Sequence, residues 1–127
     1  MKVRSSQIRA ATEPLHLVLR PRIKLWLQCP NGFRFCSRFI AILEAVDRTG
    51  SIKHAAAEVG RSYRLVWSRI KDAEAALGCA LVATSLGGQG KERSELTPDA
   101  RRVVARFYDL RERLLTLATS DPDFAGP

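Results

Sequence analysis

Residues 50–78, GSIKHAAAEVGRSYRLVWSRIKDAEAALG, predict two helices joined by a tight turn. Ser51 is a good N-cap for the first helix, because its hydroxyl can accept a hydrogen bond from an unpaired backbone N–H one turn further on. Gly60 ends this helix, since glycine adopts the left-handed conformation without steric cost. Ser62 can cap the second helix, which is expected to end at Gly78. The middle of the segment is therefore a helix, a turn and a longer helix.

The two faces of the second helix differ in character. One face is apolar at spacings of four, three and four, through Val66, Ile70, Ala73 and Leu77. The opposite face is mostly basic or hydrogen-bonding and carries Tyr63, Arg64, Trp67, Ser68 and Lys71. A short alanine-rich helix allows a second helix to cross it closely. This pattern predicts a helix-turn-helix whose second helix enters the major groove of DNA; the alternative is an ordinary helical hairpin.

The charge of the chain favours a polyanionic partner. The 127 residues include 21 Lys and Arg against 13 Asp and Glu, a formal charge of +8. Nucleic acid is the first expectation and an anionic membrane surface the second. The sequence has no apolar run of membrane-spanning length and no secretory signal, so we expect a cytoplasmic protein with no membrane partner.

Three cysteines, Cys29, Cys36 and Cys79, are an odd number without framework spacing. This usage is typical of free thiols in a reducing compartment. A thiol or metal sensor built on Cys29 and Cys36 is one alternative, but cysteine more often serves as a small core hydrophobe. Because His16 and His54 complete no ligand cluster, no metal site is expected.

The N-terminal part of the chain is predicted as an arm followed by strands. Residues 1–14 lack periodicity and are expected to be a flexible basic arm. Residues 15–28 alternate between apolar and polar side chains, which predicts a half-buried strand with Pro21 at an edge or strand start. Residues 29–32 predict a turn, and 33–35 a short second strand. A helix capped by Ser37 should follow and run to about residue 49.

A hairpin is expected directly after the helix-turn-helix. Residues 79–84 and 94–96 predict two short strands, and the glycine-rich basic loop between them, 87–93, predicts a wing. Lys91 and Arg93 would supply positive charge to a DNA backbone. A hairpin tip without contacts is the alternative. Residues 15–96 are thus predicted to form a winged helix-turn-helix domain, mainly α with a small β component.

The last long helix is predicted over residues 97–118. Thr97 is a good cap, and Pro98 suits the first helical position. Apolar residues recur in a heptad pattern that is typical of a dimer seam: Val103, Phe107, Leu110, Leu114 and Leu117. A helix packed only on its own domain is the alternative. Residues 119–127 are expected to be a disordered tail.

Ten side chains are predicted to contact DNA. Arg64 can read a guanine edge with two hydrogen bonds, and Ser68 can serve a base or a phosphate. Lys71 and Arg61 are expected to hold phosphates. Tyr63 and Trp67 fit packing and base contact equally well. The full set is Ser51, Arg61, Ser62, Tyr63, Arg64, Trp67, Ser68, Lys71, Lys91 and Arg93.

The sequence resembles the N-terminal DNA-binding domain of ModE-type molybdate-responsive regulators, whose helix-turn-helix pattern is shared with LysR-type regulators. The residues that carry the resemblance are Thr49-Gly50-Ser51-Ile52, Ser62-Tyr63-Arg64, Trp67, Leu81-Val82, Gly87-Gly88, Gly90-Lys91 and Leu96-Thr97. The resemblance implies a winged helix, a homodimer built on the terminal helix, and operator binding.

The sequence also departs from the ModE-type pattern. Glu92 and Arg93 interrupt the glycine run of the wing, and Ala83-Thr84 stand where an acid-base pair is common. The chain ends where ModE-type proteins begin their molybdate-binding module, so no molybdate binding is expected.

Other function classes are less favoured by the sequence. No catalytic triad, metal cluster or phosphate-binding loop is present as a motif, so neither an enzyme nor a cofactor is expected. Two non-enzymatic alternatives remain open besides the thiol sensor. One is a non-specific architectural DNA-binding protein, and the other is a degenerate winged helix that serves as a protein-interaction module.

Overall fold

The computed structural model describes residues 13–87 and 91–125. The predicted arm therefore lies almost wholly outside the described residues, as do Gly88, Gln89 and Gly90 of the predicted wing. Within the described ranges two compact units are present, Leu25–Leu110 and a smaller one formed by the described residues before Leu25 and after Leu110. Among the described residues no helix is long and apolar enough to cross a membrane.

The larger unit contains two antiparallel hairpins and four helices, of which the last continues into the smaller unit. In chain order the elements are β1 (Trp26–Gln28), β2 (Arg34–Cys36), α1 (Ser37–Thr49), α2 (Ile52–Val59), α3 (Tyr63–Leu77), β3 (Val82–Leu86), β4 (Glu92–Leu96) and α4 (Pro98–Thr119). β1 pairs with β2 and β3 with β4. This is the predicted mainly helical winged helix-turn-helix, with β3 and β4 as the wing.

The hydrophobic core lies between the helices of the larger unit. Its largest fully buried side chains come from α1, α3, the start of the wing and α4: Ile40, Leu43, Val46, Val66, Ile70, Leu81 and Phe107. Ala55 and Ala56 of α2 are buried as well, which allows α1 and α3 to approach α2 closely. The core therefore fixes the positions of α2 and α3, the two helices of the helix-turn-helix.

The predicted helix ends of the helix-turn-helix are confirmed. The Ser51 hydroxyl accepts a hydrogen bond from the His54 backbone N–H at 3.2 Å, and the Ser62 hydroxyl accepts one from Leu65 at 3.1 Å. Gly60 has φ of 70°, the left-handed conformation that ends α2. Two capped helices with a glycine between them leave a short, well-defined turn.

The long strand predicted over residues 15–28 was wrong for most of its length. Leu15–Leu17 form a short 3-10 helix, and only Trp26–Gln28 pair as a strand. Leu17 and Leu19 are 63% and 54% exposed, so they do not belong to a buried face. The physical reason is the length of the partner strand. β2 has only three residues and can pair with only three residues of the preceding segment. A longer strand would leave its remaining backbone N–H and C=O groups without hydrogen bonds.

Three element boundaries also differ from their predictions. Ser37 is the first residue of α1, and the N-cap position belongs to Cys36, whose side chain makes no capping bond. β3 begins at Val82, later than predicted, and the backbone amides of Leu81 and Val82 at its start are bonded to a side chain of α3. β4 begins at Glu92, so Arg93 lies in a strand and not in the wing loop.

The start of α4 follows the predicted cap. The Thr97 hydroxyl accepts from the Ala100 N–H at 3.2 Å and donates to the Ala80 carbonyl at 2.8 Å. In the smaller unit, the chain after α4 contains a hydrogen-bonded turn in which Phe124 N–H donates to the Asp121 carbonyl at 2.9 Å. This part of the predicted disordered tail is therefore folded into a local turn.

Candidate nucleic-acid interface

The exposed face of α3 is the centre of the candidate site. Arg64, Ser68 and Lys71 are exposed, and Tyr63 and Trp67 are 52% and 44% exposed. The opposite side of the same helix packs into the core through Val66, Ile70 and Ala73. The structure therefore keeps the five predicted side chains on one accessible surface, which we call the α3 face.

The remaining predicted contacts near the turn surround the start of α3. Arg61 and Ser62 are exposed, and Ser51 is half-buried. Both serine hydroxyls accept capping bonds, but a hydroxyl that accepts a bond retains its own O–H as a donor. Capping and phosphate contact are therefore compatible at Ser51 and Ser62.

A groove of about 430 Å³ runs between the α3 face and the wing. The start of α2, the exposed side of α3 and the two wing strands form its walls. The residues that line it are Gly50, Ser51, Ile52, Lys53, Tyr63, Trp67, Ile70, Lys71, Val82, Thr84, Glu92 and Ser94. Four of the predicted DNA-contacting residues, Ser51, Tyr63, Trp67 and Lys71, therefore share one concave surface.

Glu74 joins α3 to the base of the wing and was not predicted from the sequence. Its carboxylate accepts hydrogen bonds from the backbone N–H groups of Leu81 at 2.7 Å and Val82 at 3.3 Å. Its other oxygen lies 3.2 Å from Lys71 Nζ. The spacing of three residues between Lys71 and Glu74 indicates the ion pair, but the backbone bonds depend on how the chain turns after Gly78.

The bonds made by Glu74 favour its ionised form. Partial burial raises the pKa of the Glu74 carboxyl, but the two backbone donors and Lys71 outweigh burial, and the net pKa is below the ordinary value of 4.5. A carboxyl with a lowered folded-state pKa stabilises the fold above its unfolded-state pKa. That stabilisation is lost as the pH falls from about 4.5 through the folded-state value.

Glu74→Gln is expected to destabilise the protein by about 1–2 kcal/mol at pH 7, because hydrogen bonds to a charged acceptor are replaced by bonds to a neutral one. Urea unfolding of both proteins at pH 7, 5, 4 and 3 measures the difference. The difference should shrink as the pH falls from about 4.5 through the lower folded-state pKa of Glu74, because the folded wild-type carboxylate then takes up a proton. A difference that is constant over this range would contradict the role of the ionised carboxylate.

The wing places its two predicted cations differently. Lys91 and Arg93 are both exposed. The Arg93 guanidinium, however, lies against Gly50, where its Nη1 would be 3.2 Å from an added Cβ. Gly50 ends α1, and the carbonyl end of a helix attracts a cation. Arg93 therefore lies beside the start of the helix-turn-helix and not at the wing tip.

The thiols give little support to a sensor. Cys29 is buried in the core and Cys36 is half-buried; all three thiols are unbonded to one another. Burial, followed by the charge and hydrogen bond of Asp99, raises the pKa of the Cys79 thiol, which disfavours the reactive thiolate. In the described parts of the chain, no group of three His, Cys, Asp or Glu side chains is placed to hold a metal ion.

The predicted dimerisation residues fall into two environments. Phe107 is 1% exposed and packs in the core of the larger unit, so its assignment to a dimer seam was wrong. The heptad pattern predicted a seam position for Phe107 because an apolar stripe on a helix can pack either against its own domain or against a second chain. Val103 also packs against this core, and Leu110 is half-buried. In the smaller unit, Leu114 is half-buried and Leu117 is 69% exposed.

Comparison with known proteins connects this geometry to a family. Residues 37–101 match the family described as "Bacterial regulatory helix-turn-helix protein, lysR family". The matched segment begins with α1 and ends within the first turn of α4, so it contains the complete helix-turn-helix and the wing.

Curated relatives cover the same region. The molybdenum transport protein ModE of Herbaspirillum seropedicae is 38% identical over 82 residues, which are 65% of this chain and 30% of the relative. The molybdenum-pterin-binding protein MopB of Rhodobacter capsulatus is 32% identical over 90 residues, 71% of this chain and 33% of the relative. The chain thus spans about a third of the length of these relatives.

Two solved structures are similar to part of the chain. ArgP from Mycobacterium tuberculosis has 25% identity and a TM-score of 0.46, over 63% of this chain and 29% of that one. The CbnR_DBD–DNA complex has 22% identity and a TM-score of 0.48, over 65% of this chain and 93% of that one. On the family match over residues 37–101, the chain belongs to the lysR family of bacterial regulatory helix-turn-helix proteins.

Proposed function

We propose that the protein is a sequence-specific DNA-binding transcriptional regulator that inserts α3 into the major groove. The observation that carries this proposal is the exposed α3 face, with Arg64, Ser68 and Lys71 on the solvent side of a helix whose other side is locked into the core. A formal charge of +8 supports a polyanionic partner. Membership of a family of helix-turn-helix regulators supports the same function.

The side chains divide into those that read bases and those that hold the backbone. Arg64 lies in the first turn of α3, where residues of such helices reach base edges, and its guanidinium suits guanine. Arg61 lies in the turn before α3, and we propose that it holds a phosphate. Lys71 lies two turns beyond Tyr63 and is partly neutralised by Glu74, which suits a phosphate contact at the rim. Lys91 and Arg93 would add backbone contacts from the wing.

A homodimer is the second part of the proposal. Leu117 and its half-buried neighbour Leu114 leave apolar surface exposed near the end of α4. A two-fold dimer would place its two copies of α3 about 34 Å apart, which is one turn of duplex, and would prefer a pseudo-palindromic site. Sedimentation of the protein over a range of concentrations tests the assembly.

Arg64→Ala is expected to weaken binding to the preferred site by about 5- to 150-fold, because a bidentate base contact supplies about 1–3 kcal/mol of discrimination. Its affinity for random duplex should change much less. Lys71→Ala should weaken binding to both kinds of DNA by the same factor. It should also reduce the magnitude of the slope of log affinity against log salt concentration by about one. Fluorescence anisotropy between 50 and 300 mM salt, on a selected site and on random duplex, measures both effects.

Arg102→Ala is the matched control, since it removes one exposed positive charge from α4, a helix that contributes no residue to the groove beside the α3 face. Equal losses on specific and random DNA for Arg64→Ala would contradict base reading. Wild-type protein that does not prefer its selected site would indicate a non-specific architectural protein. An affinity that does not depend on salt, or no binding, would indicate a protein-interaction module.

A further inference from the structure

We propose that Tyr63 and Trp67 form an apolar reading surface that recognises thymine methyl groups in the major groove. The inference rests on the proposed function and specifies what the α3 face recognises. Thymine is distinguished in the major groove by its C5-methyl group, which is read by apolar contact. The preferred site should therefore contain A·T pairs at fixed positions beside the guanine read by Arg64.

Both rings are accessible to solvent on the α3 face. Tyr63 is 52% and Trp67 44% exposed, although large aromatic side chains are mostly buried in folded proteins. In the described part of the chain neither the Tyr63 hydroxyl nor the Trp67 indole N–H has a hydrogen-bond partner in the protein. Packing within the protein therefore involves only part of each ring, and the rest of the ring surface is accessible to a ligand.

The spacing of the two rings suits neighbouring base pairs. Tyr63 is the first residue of α3 and Trp67 lies four residues on, so the two side chains are neighbours on one face with Cβ atoms about 5–6 Å apart. Base pairs in a duplex rise by about 3.4 Å each. Two rings at this separation can contact methyl groups that are one or two base steps apart.

The charges around the rings direct them towards bases. Two cations, Lys53 and Lys71, and one carboxylate, Glu92, line the same groove as Tyr63 and Trp67. The ammonium group of Lys71 lies 5.6 Å from the centre of the Trp67 ring. Where Lys53 and Lys71 hold phosphates at the edges of a groove, the uncharged rings between them would be left for the base edges.

Replacement of thymine by uracil tests the proposal, since it removes the methyl group and keeps every hydrogen-bonding group of the base. The probe is a duplex selected from a random pool by the full chain, resynthesised with one deoxyuridine at a time. At one or two positions in each half-site, the substitution should weaken binding about fourfold, the effect of one buried methyl-sized group. Fluorescence anisotropy at fixed salt measures each duplex.

Variants of the rings identify which side chain reads the methyl group. Trp67→Ala and Tyr63→Ala should each bind thymine and uracil duplexes equally at one of these positions, whereas Tyr63→Phe, which keeps the ring, should still discriminate. Leu65→Ala is the matched control: Leu65 is 43% exposed on the same helix but does not line the groove, and its removal should leave the fourfold ratio unchanged.

Three outcomes would overturn the inference. They are a selected site without thymine at fixed positions, a site at which uracil substitution has no effect, and a methyl effect that persists in both alanine variants. Each of these outcomes is compatible with salt-dependent, sequence-specific binding. Failure of the proposed function is distinguishable, because no preferred duplex would then emerge from the random pool.

Discussion

Phe107→Ala is expected to destabilise the protein by about 3–5 kcal/mol, the cost of removing a large aromatic side chain from a packed core. Phe107 is 1% exposed and is among the largest fully buried side chains of the structure. Because a domain of this size is stable by only about 5–15 kcal/mol, this change should lower the unfolding midpoint in urea severely. Chemical denaturation followed by circular dichroism measures the loss.

Comparing the stability of Phe107→Ala with that of Leu117→Ala distinguishes a residue of the core from a residue of a dimer seam. Both residues belong to one heptad pattern, but Leu117 is 69% exposed, so its removal should cost the folded chain about 0.5 kcal/mol or less. A loss at Leu117 that grows with protein concentration would indicate that it stabilises an oligomer. The loss at Phe107 should not depend on concentration. A small, concentration-dependent loss at Phe107 would contradict its place in the core.

Asp47→Ala is expected to cost about 1–3 kcal/mol, because it leaves a buried backbone donor without an acceptor. The Asp47 carboxylate accepts from the Leu96 N–H at 3.1 Å and from both terminal nitrogens of Arg101, at 2.8 and 2.9 Å. The carboxylate thus holds α1, β4 and α4 together. The Arg101 side chain is half-exposed, so water screens its part of the interaction, and the amide of Leu96 carries most of the effect.

Arg48→Ala provides the control for Asp47→Ala. Arg48 is the next residue of α1 and pairs with Glu58 of α2, but both side chains are well exposed. An exposed ion pair contributes about 0–1 kcal/mol, so its loss should be smaller than that of Asp47→Ala. Thermal unfolding of the two variants at low and moderate salt measures the difference. Equal losses in the two variants would contradict the dominant role of the Leu96 amide.

Local signals allowed most of the helical part to be predicted from the sequence. Ser51, Gly60 and Ser62 act within one turn of their own positions, so the caps and the turn of the helix-turn-helix follow from neighbouring residues. The exposed side of α3 follows equally from its helical period. For the candidate site, the helical period was sufficient to predict that Arg64, Trp67 and Lys71 lie on one face of α3.

The features that were missed depend on distant parts of the chain. The alternating residues before Trp26 lack a partner strand of matching length, and no local pattern reports the length of a partner. Glu74 was missed because its bonds go to amides that follow a change of chain direction. Phe107 was assigned to the wrong surface because an apolar stripe does not show which neighbour covers it.

The hairpin is attached to the rest of the domain at its base and in the middle of β4, where the Ser94 N–H donates to the Gly50 carbonyl at 2.8 Å. At the base, the Glu74 carboxylate accepts a hydrogen bond from the Leu81 N–H and so joins the start of the hairpin to α3. The backbone N–H of Thr97, which follows β4, donates to the Leu81 carbonyl. Leu86, close to the opposite end, is 75% exposed. In the proposed complex, the base of the hairpin would therefore keep a fixed position relative to α3, and any adjustment to the width of a DNA groove would come from the outer part of the hairpin.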